Sequence, residues 1–222
     1  MSFLGDNITV SKKIQLLEDL DFKDQQVLME SYLFLEQRVA SNSETIDCID
    51  GTIYKLIFRS GNVEIVEKLT NNFSDGLVDS SSPFRTLYLE LQDLLVCDQL
   101  QEADKLTSKI LCVLADVTER NWLYFSDVNK IPEAELKILD GLWRIYSKGK
   151  FGFSVQRQIW LSNGKDWNLL WSKIGWAKNE VLCRYPEGFI WNLTAPNGHL
   201  PLSNQLRGVQ TLNALFNLAI WS

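Results

Sequence analysis

Apolar side chains spaced alternately three and four residues apart constrain this chain more than any other feature. Ile46, Ile49, Ile53 and Ile57 keep that spacing early in the chain, and Leu136, Leu139, Trp143 and Tyr146 keep it again in the middle. It gathers the apolar residues onto one face of a helix and leaves the other faces to water. Val27, Tyr32 and Leu35 mark another such face within "DQQVLMESYLFLEQRVA", with acidic residues on the remaining surface. The fold class expected is all-α.

Punctuation divides the helical stretches. "NNFSDGLVDSSSPFR" (71–85) reads as a linker of Asn, Ser, Asp and Gly closed by Pro83, with Ser82 as N-cap and Pro83 as first helical residue. The boundary is set there: an N-terminal helical bundle over 1–82 and a core domain over 83–222. In the core domain, "FRTLYLELQDLLV" and "DQLQEADKLTSKILCVLA" read as an antiparallel helix pair, the second capped by Asp98. Pro132 opens the next helix, and Gly149 stands where a C-cap glycine belongs. "FSVQRQIWLSNG" reads as a helix capped by Ser154 and stopped by Gly164, followed by a short "KDWNLLWSKIGW" helix. Pro and Gly make "NEVLCRYPEGFIWNLTAPNGHLP" a loop with extended pieces, and "LSNQLRGVQTLNALF" is the final helix.

The 222 residues suffice to bury a sizeable core, and no apolar run approaches the ~20 residues of a membrane span. The first residues show neither a secretory signal nor a transit peptide, so the expected workplace is the compartment of synthesis unless a presequence has been removed. The four cysteines lie far apart with no C-x-x-C pair, as expected of reduced thiols. The single histidine, His199, excludes a His-rich metal site. The net charge of −6 is unevenly spread: residues 1–140 carry 25 acidic and 13 basic side chains, and residues 141–222 carry 3 and 9. All eight tryptophans lie at or beyond position 122. A basic, aromatic-rich C-terminal region suits an anionic, flat or apolar partner.

Three groups of residues bear on that partner. Asn204 and Arg207, three apart on the last helix, share a face; it is either a solvated polar face or a donor pair for a carboxylate. Phe125, Val128 and Ile131 share a row in "LYFSDVNKIP", as core packing or as cover for a flat ligand. Tyr185, Phe189 and Trp191 sit in irregular chain, where large aromatics need a core or a ligand to hide them. His199 in "NGHLP" is read as a residue that satisfies loop backbone groups rather than a metal ligand. In "SKGKFGFSVQRQIW", the glycines allow a tight corner that Phe151 and Phe153 anchor in the core, and Arg157 is left exposed as a partner-facing residue. "GKFGF" lacks P-loop spacing, no G-x-S-x-G occurs, and Asp127, Asp140 and Glu187 form no acid–base pair, so no catalytic residues are assigned.

"NWLYFSDVNKIP", "LWRIYSKGKFGFSVQRQIW", "KIGW" and "GFIWNLTAPNGHLPLSNQLRGVQ" together resemble the genomes-uncoupled tetrapyrrole-binding regulators of magnesium chelatase, from about Ser82 to Trp221. The acidic bundle resembles the extra N-terminal domain of cyanobacterial and plastid-encoded members. The resemblance implies a cupped-hand helical core whose palm binds protoporphyrin IX and Mg-protoporphyrin IX, without enzymatic activity. It implies stimulation of magnesium chelatase through the large porphyrin-binding subunit, in chloroplast stroma or cyanobacterial cytoplasm. A monomer is expected, with peripheral membrane association as a further expectation and no nucleic-acid partner. By position, Phe125, Val128 and Tyr185 would line the pocket and Asn204 and Arg207 would meet the propionates; Ile131 and Phe189 are added as sequence neighbours. Tyr185 replaces the tryptophan of cyanobacterial members, and Gln210 stands where some relatives have a second arginine. Two alternatives compete. An aromatic-groove carbohydrate-active enzyme would need its acids from Asp166, Glu180 and Glu187. A single-stranded nucleic-acid binder would need a basic stacking surface, against the overall acidity of the chain.

Overall fold

The computed structural model describes residues 8–41, 46–77, 81–120, 122–202 and 209–221. The fold is all-α, with one two-stranded hairpin among the described residues. The N-terminal part holds α1 (Val10–Glu18), α2 (Gln25–Ser41), α3 (Cys48–Phe58) and α4 (Val63–Asn72). Ile49, Ile53 and Ile57 are buried on α3, as their spacing requires. A capping box starts that helix: Ile49 N donates to Asp47 Oδ1 (2.6 Å) and Asp47 N to Asp50 Oδ2 (2.9 Å). Asp50 is fully buried and also accepts both arms of Arg38, at 2.7 and 2.9 Å, which ties α2 to α3.

The stretch expected to be a linker is partly pinned, because Phe73 and Leu77 are buried in the common core. α5 (Arg85–Val96) starts two residues after the expected Pro83. Ser82 instead accepts from Phe84 N in the preceding turn and donates to Glu135 Oε2 (2.7 Å), which Tyr88 also reaches. Asp98 does not cap α6 (Leu100–Leu114); Gln99 holds the cap position, and Asp98 is drawn off by Lys55 and Arg59. α7 (Glu133–Tyr146) buries Leu136, Leu139, Trp143 and Tyr146 as its period foretells, with Pro132 as N-cap rather than first helical residue.

α3, α5 and α7 meet at a buried lysine. Lys55 Nζ donates to Leu95 O and Tyr146 O, both at 3.1 Å, and pairs with the Asp98 carboxylate. Burial pushes its pKa down, against the Asp98 contact that raises it. Gly51 lets α3 approach α7 so closely that a Cβ there would strike the Ile145 carbonyl. The Tyr54 ring packs edge-on to Tyr146 at 6.0 Å.

Beyond α7 the chain turns through Gly149 into α8 (Phe153–Ser162). Phe151 and Phe153 are fully buried, as scaffold. The expected cap, Ser154, lies inside α8; Gly152 is the N-cap residue, and capping comes from α7. Asp140 Oδ1 accepts from Ser154 N (2.8 Å), and Oδ2 accepts from the Ser154 hydroxyl (2.6 Å). Gly152 has φ +133, and a Cβ there would stand 2.7 Å from Asp140 Oδ1. This corner is bonded to the distant "NGHLP" loop: Gly152 N donates to Leu200 O (2.9 Å), Gly198 N to Lys150 O (2.7 Å), and Gln156 Nε2 to Gly198 O and Pro201 O. α9 (Trp167–Lys173) is capped by Asp166 and leads into the hairpin β1 (Ala177–Lys178) and β2 (Val181–Leu182). Buried His199 crosslinks the following loop, with Nε2 accepting from Ile190 N (2.9 Å) and Nδ1 donating to Ile174 O (2.6 Å). α10 (Gln210–Phe216) is shorter than the final helix expected over 202–216: Leu202 is not helical, Val209 is the N-cap residue, and 203–208 lie outside the described residues.

Two predictions follow from these burials. Lys55→Ala leaves two carbonyls unpaired and should cost about 3 kcal/mol. The loss should register in the tryptophan-reported urea transition, although every tryptophan lies far along the chain from α3. The second concerns Asp104 on α6, whose Oδ1 accepts from Leu202 N (2.6 Å) and whose pKa burial raises to about 7. The native state then holds a proton that the unfolded chain has released, so this stabilisation is full below the ordinary value of 3.8 and is lost as pH rises through about 7. His199 has the opposite sign, because burial lowers its pKa and its contribution fades as pH falls below 6.5. Between about pH 6 and pH 8 the wild type should lose roughly 1.4 kcal/mol that Asp104→Asn does not lose, read from urea midpoints at each pH.

Candidate functional site

A short 3-10 helix, Phe125–Lys130, bridges α6 and α7 and packs against α10. With three residues per turn, Phe125 and Val128 stack in one row and Tyr124, Asp127 and Lys130 in another. The apolar row descends into the protein: Phe125 is 52% exposed, Val128 0% and Ile131 4%. Val128 and Ile131 therefore form the floor beneath Phe125, and only Phe125 offers a broad free surface.

In the second row Tyr124 and Lys130 are exposed and only Asp127 turns inward. Asp127 is buried; it accepts from Tyr124 N (2.9 Å) and Lys130 Nζ (3.3 Å) and pairs with Arg120. Burial acts to raise its pKa, but the Tyr124 N–H, Lys130 and Arg120 outweigh that and hold it below the usual carboxylate value. The Arg120 guanidinium lies 4.5 Å from the Tyr124 ring centre and 5.4 Å from that of Trp122. Those rings meet edge-on at 4.1 Å. Tyr124, 48% exposed, thus stands beside Phe125 with its backbone and ring both held. Arg120, Trp122, Tyr124 and Asp127 are not among the residues expected from the sequence to form the site; the one local signal for them is an acidic residue three positions after the cap of a short helix.

A second aromatic group stands on the loop after the hairpin. Tyr185 is 45% exposed and meets Trp191 edge-on at 5.6 Å; Trp191 lies 6.2 Å from Phe189. Phe189 is 6% exposed and packs on Trp176 and His199, so it supports Tyr185 and Trp191 from below. Among the described residues no ring contact joins Phe125 to Tyr185. Asn204 and Arg207 lie outside the described residues. The flanking chain is fixed on both sides: Leu202 is held by Asp104, and α10 rests on the 3-10 helix, with Thr211 Oγ1 reaching Leu123 O (3.4 Å).

Other candidates are committed elsewhere. Both His199 nitrogens serve the backbone, which leaves neither for a metal, and among the described residues no group of three or more His, Cys, Asp or Glu is gathered as a metal site. Arg157, expected to be exposed, is half-buried because its Nε donates to Phe216 O (2.7 Å) at the end of α10. Asp166 caps α9 through Leu169 N (3.0 Å), and Asp140 caps α8, so these acids serve helix termini. A cleft of about 360 Å³ between α1, α2 and α3 is lined by Lys13, Arg38 and Asp47, but Asp50 and Asp47 already balance its arginine.

Residues 81–218 match the GUN4-like family. The Ycf53 protein of Porphyra purpurea is 46% identical over 214 residues, covering 96% of this chain and 90% of its own. A chloroplastic tetrapyrrole-binding protein of Arabidopsis thaliana is 36% identical over 143 residues, 60% of this chain and 54% of its own. Among solved structures, GUN4 from Chlamydomonas reinhardtii superposes with a TM-score of 0.57 at 37% identity, over 61% of this chain and 89% of that one. The family match contains both aromatic groups and the two motifs that bind each other across the core, and the Porphyra relative extends the likeness through the N-terminal helices: the chain belongs to the GUN4 family.

Proposed function

We propose that this chain is a non-enzymatic tetrapyrrole-binding protein that takes protoporphyrin IX and Mg-protoporphyrin IX against Phe125 and Tyr185. It stimulates magnesium chelatase through the chelatase's large porphyrin-binding subunit. The observation that carries the reading is an inversion on one short helix, where Asp127 is buried and Phe125 is half exposed, within the segment that matches the family. The Arabidopsis relative, named as a chloroplastic tetrapyrrole-binding protein, supports the ligand class and a plastid workplace. Residues 1–82 are proposed as a bundle that braces the core domain over 83–222 through the Lys55 junction.

A porphyrin is a flat apolar disc with two propionates at one edge. Covering a few hundred Å² of it contributes several kcal/mol at ~25 cal/mol/Å², and exposed rings add offset stacking. Val128, Ile131 and Phe189 act as the floor beneath the contacting rings. Asn204 and Arg207 would orient the disc by its carboxylates; a guanidinium suits that role because it donates two parallel hydrogen bonds. Magnesium on the ligand would bring its own charge, and no side chain is assigned to it. Of the three acids a hydrolase would draw on, Asp166 is committed to the cap of α9, which speaks for binding rather than hydrolysis.

The test is a titration of the full chain with protoporphyrin IX and with its dimethyl ester, followed by tryptophan quenching and the porphyrin's main absorption band. Phe125→Ala should weaken both ligands about tenfold. Arg207→Ala should weaken the free acid about tenfold more than the ester; equal losses would make that arginine structural. Tyr185→Trp should tighten both a few-fold, because the larger ring offers more stacking area. Binding that neither saturates nor shifts the band would refute the reading.

A further inference from the structure

The charges beneath the exposed aromatic pair have no role in the function just proposed, yet they are the most heavily partnered polar cluster in that region. Asp127 takes Tyr124 N, Arg120 and Lys130 at once. Arg120 in turn lies over the Tyr124 and Trp122 rings, its guanidinium carbon 4.5 and 5.4 Å from their centres, while bonded to Asp127. Each partner closes a different freedom. The Tyr124 N–H bond fixes where the 3-10 helix begins, and the guanidinium fixes how the Tyr124 and Trp122 rings stand. Phe125 is the next residue along, and its side chain is half exposed.

We infer that Arg120 and Asp127 are positioning residues for the ligand surface: a clamp that sets the presentation of Phe125 and Tyr124 without touching the ligand's carboxylates. The inference rests on the porphyrin reading and deepens it. A short 3-10 turn is a weak element, with poorer hydrogen-bond geometry than an α-helix. A buried carboxylate bonded to its first N–H, and a planar cation over the flanking rings, supply the rigidity it lacks. Preformed aromatic surfaces bind more tightly than mobile ones because less ordering remains to be done on binding.

The experiment compares the wild type with Phe125→Ala, Asp127→Asn, Arg120→Lys and Arg120→Ala in the full chain. Each is titrated with protoporphyrin IX and its dimethyl ester, and near-UV circular dichroism is recorded before ligand is added. Arg120→Lys keeps a cation for Asp127 but loses the guanidinium that lies over Tyr124 and Trp122. It should keep the urea midpoint, change the near-UV spectrum of the Trp122–Tyr124 pair, and bind both ligands about threefold to tenfold more weakly. Asp127→Asn should weaken both ligands by a similar factor, and if it fails to fold, Arg120→Lys carries the test alone. Wild-type affinity in Arg120→Lys and Asp127→Asn, beside a loss in Phe125→Ala, would overturn the clamp and leave the porphyrin reading standing. A loss confined to the free acid would also overturn it, by making Arg120 a direct carboxylate contact. Unchanged binding in Phe125→Ala would bring down the ligand surface and the clamp with it.

Discussion

A buried ammonium holds this fold at its centre. Lys55 leaves water only because three acceptors replace it: the Asp98 carboxylate and the carbonyls of Leu95 and Tyr146. Those carbonyls belong to the C-terminal turns of α5 and α7, where unpaired C=O groups and the helix dipoles favour a cation. One side chain from the N-terminal helices thus completes two helix ends of the matched family segment. Gly51, one turn earlier on α3, removes the side chain that would keep α7 away. The placement of both residues on α3 explains why the first four helices share a continuous apolar core with the rest.

Periodicity made the helices legible, because an apolar stripe at three- and four-residue spacing has few alternatives to one-sided burial. α7 buries its stripe by that rule, whereas α3 buries its stripe and also Asp50, Thr52, Tyr54 and Lys55, and Ile46 lies ahead of the helix, half-buried. The helix ends were less legible, and the failures share a cause. Ser154 and Asp98 are good caps by residue type, yet Asp140 reaches α8 from another helix and Lys55 takes Asp98 away. Capping read from sequence assumes the local partner wins. A buried charge from elsewhere competes with it, and only tertiary structure tells which prevails. The "FGFSVQ" and "GHLP" motifs make the same point. They lie more than forty residues apart and bond to each other through Gly152, Gln156 and Gly198, so each is specific because the other is there.

The site was legible as a set of residue types and illegible in depth. The spacing of Phe125, Val128 and Ile131 correctly put them in one row, but a row has two ends and nothing local says which end meets water. Val128 and Ile131 went inward because α10 packs against that helix. Phe189 went inward for a comparable reason, since Trp176 and His199 pack against it while Tyr185 rests on Trp191. His199 was readable as structural from its setting, though which loops it joins was not.

What distinguishes the 3-10 helix is one pair of residues placed against a soluble protein's habit, Asp127 buried and Phe125 half exposed. A carboxylate rarely stays ionised in the interior, and a phenylalanine is rarely left half in water. Both occur here within three residues, and the first makes the second stable. Asp127 remains charged because three donors surround it, and those bonds fix the backbone from Tyr124 onward. A rigid backbone is what keeps an exposed ring from folding back onto the nearest apolar surface. Val128 and Ile131, three and six residues on, are already buried in the core, while Phe125 is left half exposed. Under the function proposed, an exposed ring held in this way is a surface prepared for a flat apolar ligand, and its cost in the free protein would be recovered only when that ligand covers it.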